Sequence, residues 1–155
     1  MKLKVVVEAL ERFAPLPLQD SYDNAGLQIG LTEREVSGAL LCLDVTEAVI
    51  EEAEKRGCNL IVNHHPLLFR GVKTIADDNQ VQRCVRLDIA TGIAIYSAHT
   101  NLDNVKGGVN AIIAEKLGIM PTAFLSPHAS GESGSGLIGE LPEAVEAMAF
   151  LQQIK

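Results

Sequence analysis

The grammar of the chain is plainest in residues 38–66, GALLCLDVTEAVIEEAEKRGCNLIVNHHP. Ala39-Leu40-Leu41-Cys42-Leu43 is an unbroken apolar run, as expected of a strand covered on both faces. Asp44-Val45-Thr46-Glu47 then offers oxygens for a helix N-cap, with Asp44 and Glu47 in capping-box register. The helix is expected to run to about Arg56, with Glu51 and Lys55 a turn apart and Gly57 as its stop. Leu60-Ile61-Val62-Asn63 is a second buried strand, ending at His64-His65-Pro66. This is a βαβ unit, right-handed by general rule.

The pattern repeats downstream. Asp77 or Asp78 should cap a helix whose Val81, Cys84, Val85 and Ile89 share a face and whose end is Gly92. Ile93 to Ser97 is a third strand, running out at Ala98-His99-Thr100-Asn101-Leu102-Asp103. A further helix follows Gly107-Gly108, bears Val109, Ile112, Ile113 and Leu117, and stops at Gly118. Upstream, Leu3, Val6, Val7, Leu10 and Phe13 fall at helical spacing until Pro15 and Pro17 end the pattern. Asp20 to Gly30 begins as a turn and alternates into a short strand. These elements make a three-layer α/β/α sandwich on a mixed, mainly parallel sheet. Residues 126–136, rich in Ser and Gly, read as a flexible connector between a first α/β lobe (1–125) and the opening of a second, cut-off lobe (137–155). Leu137 to Leu141 would be a strand and Glu143 to about Ile154 a helix begun by Pro142, both without partners.

With 155 residues, 47% hydrophobic and 21% charged, the chain has the composition of a globular domain and not of a disordered segment. A net charge of −7 argues against nucleic acid or an anionic membrane as its main partner. Cys42, Cys58 and Cys84 each sit in an apolar run and read as small buried hydrophobes, since no pair has zinc-knuckle spacing. The N-terminus lacks a signal-peptide pattern, and no segment nears the ~18 apolar residues of a membrane span. A reducing cytoplasm is the expected location.

Ligands of open α/β sheets bind outside the carboxyl ends of the strands. There this chain gathers Asp44, the pair His64 and His65, and then His99 and Asp103. Neighbouring side chains on an extended backbone point to opposite sides, so His64 and His65 cannot easily converge on one ion but can each face a different ion if the strand end lies between two sites. Asp103 can bridge such a pair, because two-metal hydrolytic sites hold their ions roughly 3.5–4 Å apart. Imidazole with carboxylate suits zinc, iron, manganese, nickel or cobalt. His99 fits a ligand, a supporting group or a proton donor, Asp44 a helix cap that also faces the site, and His128 a solvated loop residue. Neither a phosphate-cradling glycine loop nor a serine-hydrolase elbow is present.

The stretches DSYDNAGLQIG (20–30), NHHPLLF (63–69) and SAHTNLD (97–103), with Gly107-Gly108 beyond, resemble the GTP cyclohydrolase 1 type 2 homologues, the NGG-interacting-factor-like or YbgI-like proteins. A weaker likeness is GSGLIGELP at 134–142. Tyr22 stands where that family usually has tryptophan, an exchange expected to be tolerated as packing. The resemblance implies a two-lobed α/β fold, a dinuclear centre of divalent transition-metal ions, and a homohexamer built from dimers. Carried onto this sequence, His64 and His65 would ligate one metal each, Asp103 would complete the set from this lobe, and His99 would line the site as the catalytic proton carrier. The family's remaining ligands come from a C-terminal motif past residue 155, so the chain is expected to be an N-terminal fragment. The implied activity is hydrolysis of a purine- or pterin-type or other small substrate by a metal-activated water. The alternative is a metal-binding oligomeric scaffold or regulatory interaction protein.

Overall fold

The computed structural model describes residues 1–155, which group into two compact units, Met1–Asn101 and Leu102–Lys155. No helix is long and apolar enough to cross a membrane.

The first unit is built on a four-stranded sheet. Helix α1 (Leu3–Phe13) and a single 3₁₀ turn (Leu16–Leu18) lead into β1 (Gly26–Ile29). Then come β2 (Ala39–Cys42), α2 (Glu47–Lys55), β3 (Leu60–Asn63), α3 (Gln80–Thr91) and β4 (Ala94–Ser97). The strand order is β1-β4-β3-β2, with β2, β3 and β4 parallel and β1 antiparallel to β4. The expected mixed, mostly parallel α/β architecture is what forms.

Alternation along the strands sorts the side chains between two faces. Ile61 and Ile95 meet Ile50 and Ala53 of α2 and Cys84 and Val85 of α3 in one buried cluster. Each fully buried aliphatic chain there contributes about 1.5–3 kcal/mol. The Cys84 thiol is pushed up to about 11, chiefly by burial, and all three cysteines are free thiols. The other face buries Leu60, Ala94 and Tyr96. Helix α1 lies on that side, where its Glu11 adds to burial in raising the Tyr96 hydroxyl to about 12. At Gly30 the backbone approaches so closely that a Cβ would stand 2.8 Å from the Ala94 Cβ and 3.1 Å from Leu3 Cδ2.

Several local expectations are corrected. The run 39–43 is an edge strand and is not covered on both faces: Leu40 and Cys42 turn toward the core, whereas Leu41 is 75% exposed. The N-cap of α2 is Thr46, whose side chain accepts from the Val49 N–H, not Asp44. Asn79, not Asp77 or Asp78, caps α3 by accepting from Gln82. Tyr22 is 66% exposed and meets the Phe69 ring edge-on.

Helix α4 (Thr100–Asn104) carries the chain into the second unit, which contains α5 (Val109–Leu117), β5 (Met120–Pro127), β6 (Gly134–Glu140) and α6 (Ala147–Ile154). The strand expected at 137–141 does have a partner: β5 and β6 form an antiparallel hairpin. Most of the stretch read as a connector therefore belongs to the hairpin ends and turn, with Ser126 opposite Ser135 and Pro127 opposite Gly134. Gly134 makes this fit, since a Cβ there would lie 2.5 Å from the Ser126 carbonyl oxygen. His128 closes the turn, its N–H donating to the Ser133 carbonyl and its Nδ1 lying 2.9 Å from Ser133 Oγ. Helix α6 starts at Ala147, four residues later than expected, with Glu146 capping the Ala149 N–H.

Candidate metal centre

Asn63 ends β3 and Ser97 ends β4, side by side in the parallel register. Beyond Asn63 the chain bends, and the N–H groups of His64 and His65 both donate to the Leu43 carbonyl, at 3.2 and 3.0 Å. An extended backbone would have thrown the two side chains to opposite sides. Two consecutive amides aimed at one oxygen undo that alternation, and the rings stand 5.0 Å apart. Beneath them, Asn63 Nδ2 donates to the His65 carbonyl, and the fully buried Ser97 donates its hydroxyl to Asn63 Oδ1 at 3.0 Å. This buried polar pair fixes the bend from below.

His99 arrives from the end of β4. The His99 N–H donates to Asn101 Oδ1 at 3.0 Å, and the buried Asn101 amide donates to the Ala14 carbonyl after α1. The His99 ring lies 5.1 Å from that of His64 and 5.7 Å from that of His65. One ring nitrogen from each of the three histidines falls within 4.8 Å of the others.

Each ring is oriented through Nδ1. His64 Nδ1 lies 2.8 Å from the Ala98 carbonyl, and since a carbonyl only accepts, Nδ1 is the donor. His65 Nδ1 donates to Asp44 Oδ1 at 2.7 Å, and His99 Nδ1 to Asp23 Oδ1 at 2.8 Å. A carboxylate or carbonyl behind each imidazole is the arrangement that fixes the tautomer of metal-ligating histidines. Asp44 thus serves the site and not the helix.

Asp23 is the residue that sequence reasoning missed. Its side chain is wholly buried, whereas Asp44 is 61% exposed. Thr100 donates to Asp23 Oδ2 through both its amide and its hydroxyl, and the Asn24 amide donates to Oδ1. Burial pushes the Asp23 carboxyl up, but the donors Thr100, His99 and Asn24 together outweigh it and hold the group below the ordinary carboxylate range. A buried anion therefore stands behind His99. In the sequence Asp23 looks like any turn residue of DSYDNAG; only the pairing of that loop with the His99 strand end gives it a role.

Asp103, the remaining expected ligand, stands on α4 one turn past His99, and its backbone carbonyl accepts from Asn110 Nδ2. Phe69 borders the histidines, with its ring edge-on to His99 at 6.2 Å and to Tyr22 at 6.4 Å. Three imidazoles with ordered tautomers and flanking carboxylates make a donor set suited to a borderline transition-metal ion. A cluster that can hold a metal is thus present where the strand ends meet.

The family model described as Duf34/NIF3 (NGG1p interacting factor 3) matches residues 1–155. The chain belongs to the Duf34/NIF3 family. Among curated relatives, a Clostridium perfringens protein named GTP cyclohydrolase 1 type 2 homolog is 40% identical over 156 residues, covering 100% of this chain and 60% of its own. NIF3-like protein 1 of Drosophila melanogaster is 35% identical over 136 residues, covering 87% of this chain and 47% of its own. A hypothetical protein of Staphylococcus aureus has a solved structure that superposes with a TM-score of 0.91 at 26% identity, covering 99% of this chain and 63% of that one. The chain thus spans about six-tenths of the length of the first curated relatives it matches.

Proposed function

We propose that this Duf34/NIF3 chain supplies half of a dinuclear metal site, with His64, His65 and Asp103 as ligands, in a longer metal-dependent hydrolase. The observation that carries the reading is the convergence of three histidines, each held through Nδ1 by a carbonyl or carboxylate oxygen. The full-length subunit would hold two divalent ions, zinc, iron, manganese, nickel or cobalt, and assemble into a homohexamer built from dimers. A bound ion of this kind supplies Lewis-acid activation of water.

His99 is the proposed proton carrier. Its Nδ1 stays bonded to Asp23, so only the opposite nitrogen exchanges a proton with substrate, and the buried anion stabilises the imidazolium that forms. Asp23 is a positioning residue, acting through His99. The rings of Phe69 and Tyr22 give a planar substrate a surface to stack on. That supports a purine- or pterin-type ring, in keeping with the name of the Clostridium relative.

The test is elemental analysis of the full-length protein together with a hydrolase screen over nucleotides, pterins and phosphoesters. The expected result is about two ions per subunit, lost in part in His64→Ala and His65→Ala along with any activity. Activity that persists in metal-stripped His64→Ala would overturn the hydrolase reading. Full metal loading in both histidine variants would overturn the site.

A further inference from the structure

The histidines occupy the carboxyl ends of β3 and β4. At the opposite edge of the same sheet, where Asn59 precedes β3 and Gly92 and Ile93 precede β4, lies a pocket of about 260 Å³. Its walls are mainly apolar, with Leu3, Ile29, Val36 and Ile93 among them. One lining group does not belong in such a place. Asp88, in the last turn of α3, has no exposed surface, and neither of its carboxylate oxygens has a hydrogen-bond partner.

An unpartnered buried carboxylate is among the costliest groups a protein can hold. Its helix makes matters worse, because a C-terminus already carries the negative end of the peptide dipoles. The Asp88 carbonyl is spent in the usual way, accepting from the Gly92 and Ile93 amides. The side chain has nothing. Arg34 and Glu35 are the other charged residues lining the pocket, and neither is a hydrogen-bond partner of Asp88. Arg34 donates from Nη1 to the Gly92 carbonyl, and Glu35 holds the N-terminal ammonium. Leu3 of α1, Ile29 of β1, Gly30 just after it and Ile93 before β4 bring no charge to it.

We infer that this pocket is a second ligand site, separate from the histidine cluster, that takes a small organic ammonium: an apolar body against the aliphatic walls and a cationic nitrogen on Asp88. The size is right for one ring or a branched alkyl group, since an apolar cavity of about 150 Å³ already admits benzene. An ammonium brings the donors that both carboxylate oxygens lack and offsets the dipole of α3. A neutral molecule of the same shape offers less, and an anion is repelled.

Burial pushes the Asp88 carboxyl up to about 7, so the site should gain its negative charge across neutral pH. The probe is benzylammonium, with benzyl alcohol as its neutral match, titrated into the intact protein and followed by calorimetry and amide NMR shifts. Benzylammonium should bind, displace the resonances of Ile29, Ile89 and Ile93, and bind about tenfold more tightly at about pH 8 than at about pH 6. Benzyl alcohol should bind more weakly and without that pH dependence. In Asp88→Asn the preference for the ammonium should vanish, while the shifts of the histidine region stay in place. Absence of benzylammonium binding at millimolar concentration, equal binding of the two probes to the unmodified protein, or unchanged preference in Asp88→Asn would each overturn the inference. The first two comparisons need no variant, so a poorly folded Asp88→Asn protein would not shelter it.

Discussion

Replacing Asp88 by asparagine should reshape how stability depends on pH. The group is fully buried and its carboxyl is carried from the ordinary 3.8 to about 7 by desolvation. A carboxyl whose folded pKa is raised binds its proton more tightly in the native state. Stability is therefore lost as pH climbs above the unfolded value, and the loss levels off once pH passes the folded value. The penalty is about 1 kcal/mol at about pH 4.5 and about 4 kcal/mol at about pH 8.5. Asparagine has the same shape and does not titrate, and its own burial cost is constant. The difference in unfolding free energy between Asp88→Asn and the unmodified protein should accordingly shift by about 3 kcal/mol in favour of the variant over that range. Every other ionisable group is present in both proteins and cancels. Urea unfolding at a series of pH values measures the difference directly. Parallel stability curves would show that Asp88 is solvated or paired, and the reasoning about its burial would fail.

Three further outcomes are expected. Asp44→Ala should leave the fold intact, because Thr46 caps α2, yet weaken metal binding by the full-length protein about 10- to 100-fold in a chelator competition. Asp23→Asn should remove a contribution to stability that exists above pH 3.8 and disappears as pH falls through the lowered native value, so its deficit should be greatest near neutrality and shrink in acid, as followed by thermal melting. Ile61→Ala, at the centre of the cluster between the sheet and the α2–α3 face, should cost about 2–5 kcal/mol in chemical denaturation.

The alternation of strand and helix from Ala39 to Ser97 was legible because each element there obeys its own local rule: apolar runs for strands, a glycine at each helix end. Where two rules competed, the sequence misled. Asp44 and Thr46 are both good caps, and Asp44 is drawn away because His65 offers it a stronger partner than a backbone amide. Strand β5 was invisible because Pro121 and Pro127 argue against a strand, yet both sit in a two-stranded hairpin where a missing N–H is tolerated. In the stretch 126–136, serine and glycine carry the composition of a connector, yet the absence of a side chain at Gly134 is what lets the two strands close up. At the site, the types and rough location of the histidines could be read, because strand ends are where such folds work. Their convergence could not, since it depends on two amides sharing one carbonyl from a neighbouring strand, a long-range contact with no local mark. Asp23 was hidden for the same reason, 76 residues away from the histidine it holds.

That shared carbonyl bears on how the site can vary. Leu43 fixes the direction of positions 64 and 65 through main-chain atoms, and every residue but proline possesses the N–H it requires. The scaffold is therefore indifferent to which side chains it displays. Carboxylate, thiolate or amide could be exchanged for either imidazole without rebuilding the strand that supports them, so the main chain does not dictate which ion such a cluster would favour.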